Sequence, residues 1–203
     1  MSGLVSGCVV FGVDSTEEAP YELVREDERF EIREYAPLVV AETRVNASFE
    51  EAGEVAFRRL FAYISGENET SDEIAMTAPV VAEAADEASG EKIAMTAPVL
   101  SERDGEAWRY RFVLPRGYSL DDAPRPLDPK VSLAETETTR VAAVRYSGRS
   151  TEATRSENAK ALADWIVSQG LEARSEPRWA GYDAPWTLPP FRRNEVLVDV
   201  AEP

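Results

Sequence analysis

Histidine is absent from this chain, and cysteine occurs once, at Cys8. A lone cysteine forms no intramolecular disulfide, and without histidine no zinc site of Cys and His type and no Cys–His or Ser–His catalytic device can be assembled. Lysine is nearly as scarce, confined to Lys92, Lys130 and Lys160. The 38 Asp and Glu outnumber the 22 Lys and Arg, for a formal charge of −16. Such a field repels nucleic acid and anionic membrane surfaces and argues against both as partners. Abundant carboxylate with little lysine suits a salt-rich cytoplasm, and it suits plain solubility equally well. No apolar run reaches the ~18–20 residues of a membrane-spanning helix, so the chain as written reads as cytoplasmic.

The start of the chain qualifies that reading. Val5-Ser6-Gly7-Cys8 has the form of a bacterial lipoprotein cleavage box, but the stretch before it is too short for a charged start and an apolar run. Residues 1–19 are therefore read as a flexible N-terminal arm, or as the remnant of a lipoprotein signal, with Cys8 as a membrane anchor if the true start lies upstream. The remaining residues, 20–203, hold no Pro-, Gly- or Ser-rich break and are long enough for one sizeable core. They read as a single domain.

What the chain has instead is a repeated phrase. Ile74-Ala75-Met76-Thr77-Ala78-Pro79-Val80 returns unchanged as Ile93-Ala94-Met95-Thr96-Ala97-Pro98-Val99. As extended chain, each copy places its bulky Ile, Met and Val on one face and small residues on the other. Pro79 and Pro98 cannot donate to a ladder, so each copy belongs at a sheet edge, a strand start or a bulge. The Ala- and acid-rich link from Val81 to Gly90 reads as the turn of a long hairpin that makes the copies antiparallel neighbours. Met76 and Met95 either fill gaps in a core or form one wall of a ligand pocket.

Around the repeat, short strands are expected over Tyr21 to Arg25, Arg29 to Tyr35 and Leu38 to Val45. Ser48-Phe49-Glu50-Glu51 is a capping box, and the helix that it opens runs to about Ser65 and stops at Gly66. Ala52, Val55, Ala56, Leu60 and Ile64 recur at helical spacing, with Phe57 and Phe61 beside them. Trp108, Tyr110, Phe112 and Leu114 alternate with more polar neighbours as a half-buried strand. Gly117 to Pro129 is a loop, and Ser132 to Ser147 holds two further strands. A second helix from Ser150 or Thr151 to Gly170 carries Ala159, Leu162, Ala163 and Ile166 on one stripe. Extended chain over Glu172 to Tyr182, an aromatic and proline-stiffened loop to Arg193, and a strand over Glu195 to Val200 complete it. The order of strands, helix, strands appears twice. An α+β fold follows, with two pseudo-twofold-related halves and two helices packed on a curved antiparallel sheet.

The doubled Ile-Ala-Met-Thr-Ala-Pro-Val phrase, the block from Tyr182 to Val196 and the opening from Tyr21 to Tyr35 resemble the SOUL haem-binding family. The likeness extends over about residues 20 to 200. It implies a distorted antiparallel β-barrel of about eight strands with two flanking helices, and the binding of haem or another tetrapyrrole. A porphyrin needs an apolar slot, aromatic or Met contacts and cations at the rim. The first helix offers Phe57, Phe61, Arg58 and Arg59, and the C-terminal loop offers Trp186, Phe191, Arg192 and Arg193. With no histidine, axial ligation falls to Tyr63, Tyr182, Met76 or Met95, or to no residue.

The expected activity is reversible, non-covalent binding of haem or metal-free porphyrin, as a carrier, buffer or sensor. Two alternatives stand beside it. One is an enzyme that removes or inserts iron, with Glu50-Glu51 or Asp121-Asp122 as its acid–base pair. The other is a module for a different hydrophobic small molecule.

Overall fold

The computed structural model describes residues 16–69, 90–184 and 186–201. The chain enters through a hairpin of β1 (Glu22–Asp27) and β2 (Phe30–Tyr35), which turns at Glu28 with φ of 55°. β3 (Val39–Val45) leads into α1 (Phe49–Ile64), and a second hairpin, β4 (Val99–Asp104) and β5 (Ala107–Val113), follows. β6 (Val131–Glu135) and β7 (Thr139–Ser147) precede α2 (Glu152–Ser168), and β8 (Arg178–Gly181) and β9 (Arg193–Ala201) end the fold.

The strands form one antiparallel sheet in the order β6-β3-β5-β4-β8-β9-β7-β2-β1, and Glu172–Ala173 adds a tenth strand beside β9. Within it a pattern recurs. The run β3-α1-β4-β5 lies as β3-β5-β4, the run β7-α2-β8-β9 lies as β7-β9-β8, and the two meet where β4 pairs with β8.

Among the described residues the sheet is open: its end strands β6 and β1 do not pair with each other, so these strands do not close into the barrel implied by the family resemblance. The edge itself gives the reason. β1 is exposed along its length, carries Glu22, Arg25, Glu26 and Asp27, and slips register between Leu23 and Arg25. Charge and a bulge are the devices by which a sheet edge refuses a further strand.

Local chemistry accounts for both helices. Ser48 Oγ accepts the Glu51 N–H, and the Glu51 carboxylate accepts the Ser48 backbone N–H, which satisfies amides that the first turn leaves unbonded. Thr151 and Thr154 cap α2 in the same reciprocal way. Ala52, Ala56 and Leu60 then meet Ala41, Trp108, Tyr110 and Phe112, while Leu162, Trp165 and Ile166 meet Ala142, Val144, Val196 and Val198. Each fully buried leucine in these layers contributes ~1.5–3 kcal/mol. Trp179 packs against both clusters, so the two helices cover the same face of the sheet.

Sequence periodicity missed part of this packing. On α1, Tyr63 joins the core while Val55 is only half-buried. On α2, Ala163 is exposed, whereas Arg155 and Asn158 are buried. Arg155 lies 3.5 Å above the Phe49 ring and donates to the Ser150 carbonyl, so a cation–π contact carries it into the interior.

Strand pairing is also present before Tyr21. Glu17 and Glu18 run parallel to Thr96 and Ala97, and the Ala19 N–H donates to the Ala97 carbonyl at 2.8 Å. Cys8 and the first copy of the repeat, Met76 included, lie outside the described residues. The second copy is only partly a strand. Thr96, Ala97 and Pro98 are consecutively buried, which breaks the two-residue alternation, and Pro98 separates the Thr96–Ala97 pairing from β4.

Candidate functional site

A groove of about 900 Å³ opens between α1, the sheet beneath it and the chain just past β8. Sites for small molecules and cofactors occupy ~300–1,000 Å³. One wall is a pair of aromatic rings one helical turn apart. Phe57 and Phe61 stack with centroids 5.7 Å apart and planes 11° from parallel. They are 38% and 49% exposed, because Ala52, Ala56 and Leu60 take the stripe that faces the core and leave the neighbouring stripe to these rings. Phe57 is braced by the edge of Phe112 at 5.5 Å, and Phe61 has no such ring contact to the sheet among the described residues.

The floor is Tyr110 with Val99. Gly53 allows α1 to lie close over it, since a Cβ there would fall 3.2 Å from the Tyr110 hydroxyl. That hydroxyl donates to the Phe49 carbonyl at 2.9 Å, and burial pushes its pKa up to about 12. The rim is charged. Arg58 is exposed and has no ion-pair partner among the described residues, while Glu54, Glu67 and Asp183 present carboxylates.

Several residues expected at this site sit elsewhere. Arg59 turns back to β3, donating to Thr43 Oγ1 and the Arg44 carbonyl. Tyr63 is buried in the core with its hydroxyl on the Pro124 carbonyl at 2.9 Å. Met95 packs partly buried against the α1 core. Tyr182 points to the face that the helices leave open, where its hydroxyl donates to Glu195 at 2.8 Å; burial, then the Glu195 charge, raises its pKa well above the ordinary phenol value. These two phenols are therefore held neutral by their surroundings and away from the groove.

The arginines of the C-terminal loop have similar commitments. Arg193 lies 3.7 Å above the Tyr182 ring and bonds Glu195 at 3.0 Å and Glu18 at 2.9 Å. Arg192 donates to the Thr187 carbonyl at 2.7 Å and so braces its own loop. The same loop displays Trp186 and Phe191, 85% and 76% exposed, with Leu188 between them in sequence.

Of the expected residues, then, the structure brings Phe57, Arg58 and Phe61 together in the groove. It adds Glu54, Glu67, Tyr110 and Asp183, which the sequence reading passed over. Only Glu54 carried a signal, as the i, i+4 neighbour of Arg58 on α1. Among the described residues, no group of three His, Cys, Asp or Glu side chains is placed to hold a metal ion.

The chain matches the family model described as SOUL heme-binding protein over residues 16–89 and 83–199. No curated protein matches it. Among solved structures, the C-terminal domain of EcmrR is similar at a TM-score of 0.58 and 10% identity, covering 90% of this chain and 99% of that one. An uncharacterized conserved protein from Listeria innocua gives 0.56 at 12% identity, covering 85% and 92%. A hydrolase from the same organism gives 0.53 at 11%, covering 88% and 94%. At such identities the likeness concerns the fold alone.

Proposed function

The chain belongs to the SOUL heme-binding protein family, and on that premise we propose that it binds haem or another tetrapyrrole reversibly in the α1 groove, as a carrier, buffer or sensor. The observation that carries this reading is the exposed Phe57–Phe61 stack beside Arg58, which has no ion-pair partner among the described residues. A flat apolar macrocycle fits against parallel rings, each aromatic contact being worth ~0.5–1.5 kcal/mol beyond area burial. Arg58 is the cation for one propionate.

No imidazole, thiolate or thioether is among the described groove residues. On this reading affinity comes from apolar contact and from Arg58, with no coordination by the described groove side chains. The alternative of an iron-removing enzyme has weaker support. Glu51 is occupied in capping α1, and Asp122 accepts from Ser119 Oγ at 2.6 Å, so neither expected carboxylate pair faces the groove. A non-porphyrin hydrophobic ligand would use the same two rings.

The charge of −16 supports a small-molecule partner over nucleic acid. Among the described residues no helix is long and apolar enough to cross a membrane. Attachment through an acylated Cys8 is decided by the intact mass of native protein.

Titration of haem followed by absorbance tests the site. Phe57→Ala combined with Phe61→Ala is expected to weaken binding at least about tenfold, or ~1.4 kcal/mol, and Arg59→Ala to leave it unchanged. Equal affinity for the double variant and the wild type removes the groove from the account.

A further inference from the structure

The rim of the groove has the wrong sign for a ligand that carries many acids. Among the described residues, Glu54, Glu67 and Asp183 share the rim with one arginine, Arg58. Glu67 follows the end of α1, whose last turn contains no basic residue, so the carbonyl end of the helix adds its partial negative charge to the same side. Arg58 satisfies one carboxylate and solvent at the open mouth accepts a second. Every further acid on the macrocycle meets a carboxylate already in place.

We infer that the groove sorts tetrapyrroles by the number of their carboxylates, admitting those with two and rejecting those with four or eight. This rests on the tetrapyrrole reading and adds its selectivity: Glu54, Glu67 and Asp183 act as repulsive specificity residues, and Arg58 as the single attractive one. Discrimination by a misplaced like charge is a general route to specificity. Because these groups are exposed, the discrimination is screened by salt.

The test is a fluorescence titration of the full chain with mesoporphyrin, coproporphyrin and uroporphyrin, which carry two, four and eight carboxylates. It is run at low salt and at about 1 M salt, where the screening length falls to ~3 Å. The same series is run on the triple variant Glu54→Gln, Glu67→Gln, Asp183→Asn. Affinity is expected to fall at each step, by at least about tenfold from the first to the last. High salt and the triple variant should each flatten the series.

Equal binding of all three porphyrins overturns the inference and leaves the groove reading standing. A gradient that persists unchanged in the triple variant and at high salt is steric, and overturns it as well. Failure of all three to bind removes the tetrapyrrole reading and this inference together.

Discussion

Arg33 and Glu195 meet inside the sheet, two side chains 1% and 0% exposed that bond through both carboxylate oxygens at 2.6 and 3.0 Å. They reach across β7 from β2 to β9, and Glu31, Arg193 and Tyr182 complete the cluster on the helix-free face. Removing one member strands the other charge in the interior, at a cost of ~3–5 kcal/mol. Arg33→Met and Glu195→Leu should each lose about that much in urea unfolding, and the pair together should lose less than either alone. Additive losses would mean that the two side chains stabilise the sheet independently.

The same pair sets an acid limit. Burial raises the Glu195 carboxyl, but the Arg33 hydrogen bonds and charge, with Arg193 and the Tyr182 hydroxyl, outweigh it and hold the carboxyl below its ordinary 4.5. The unfolded chain takes up the proton first, so the contribution is complete above the unfolded value and is lost as pH falls through the lower folded one. Unfolding free energy measured against pH should decline on this acid limb for the wild type. The Glu195→Gln variant, less stable throughout, should show a shallower slope; an identical slope would place the titrating group elsewhere.

The end of α1 depends on a close approach of backbones. A Cβ on Gly90 would fall 2.1 Å from the Gly66 carbonyl and 2.5 Å from that of Asn68. The buried Asn68 amide ties the segment down, donating to the Tyr63 and Glu91 carbonyls and accepting the Glu91 N–H at 2.9 Å. Gly90→Ala should therefore destabilise by ~1–3 kcal/mol as an overpacked contact, read by thermal unfolding. A stability unchanged from wild type would mean that residues 66–69 and 90–91 part without cost.

Local chemistry made much of this legible before the structure. Ser48 with Glu51 announced α1, Ser150 or Thr151 with Gly170 bracketed α2, whose cap is Thr151, and the alternation from Trp108 to Leu114 announced β5. The exposure of Phe57 and Phe61 was not legible, because a helix with a wide apolar arc does not say which part the sheet covers. Arg193 suggests a free cation at a pocket lip, yet it is held by Glu18, distant along the chain and brought near only by the fold, and by Glu195, two residues on in the same strand. Asp183 and Tyr110 entered the groove through tertiary contact alone, and no spacing records that.

Comparison of haem with metal-free protoporphyrin, titrated against the same protein at the same salt, tests the central claim most directly. Binding by stacking and one propionate contact, with no axial ligand from the chain, predicts affinities within about tenfold of each other, a gap of ~1.4 kcal/mol. A preference for haem of several hundredfold would show that a side chain coordinates the iron and would contradict the account.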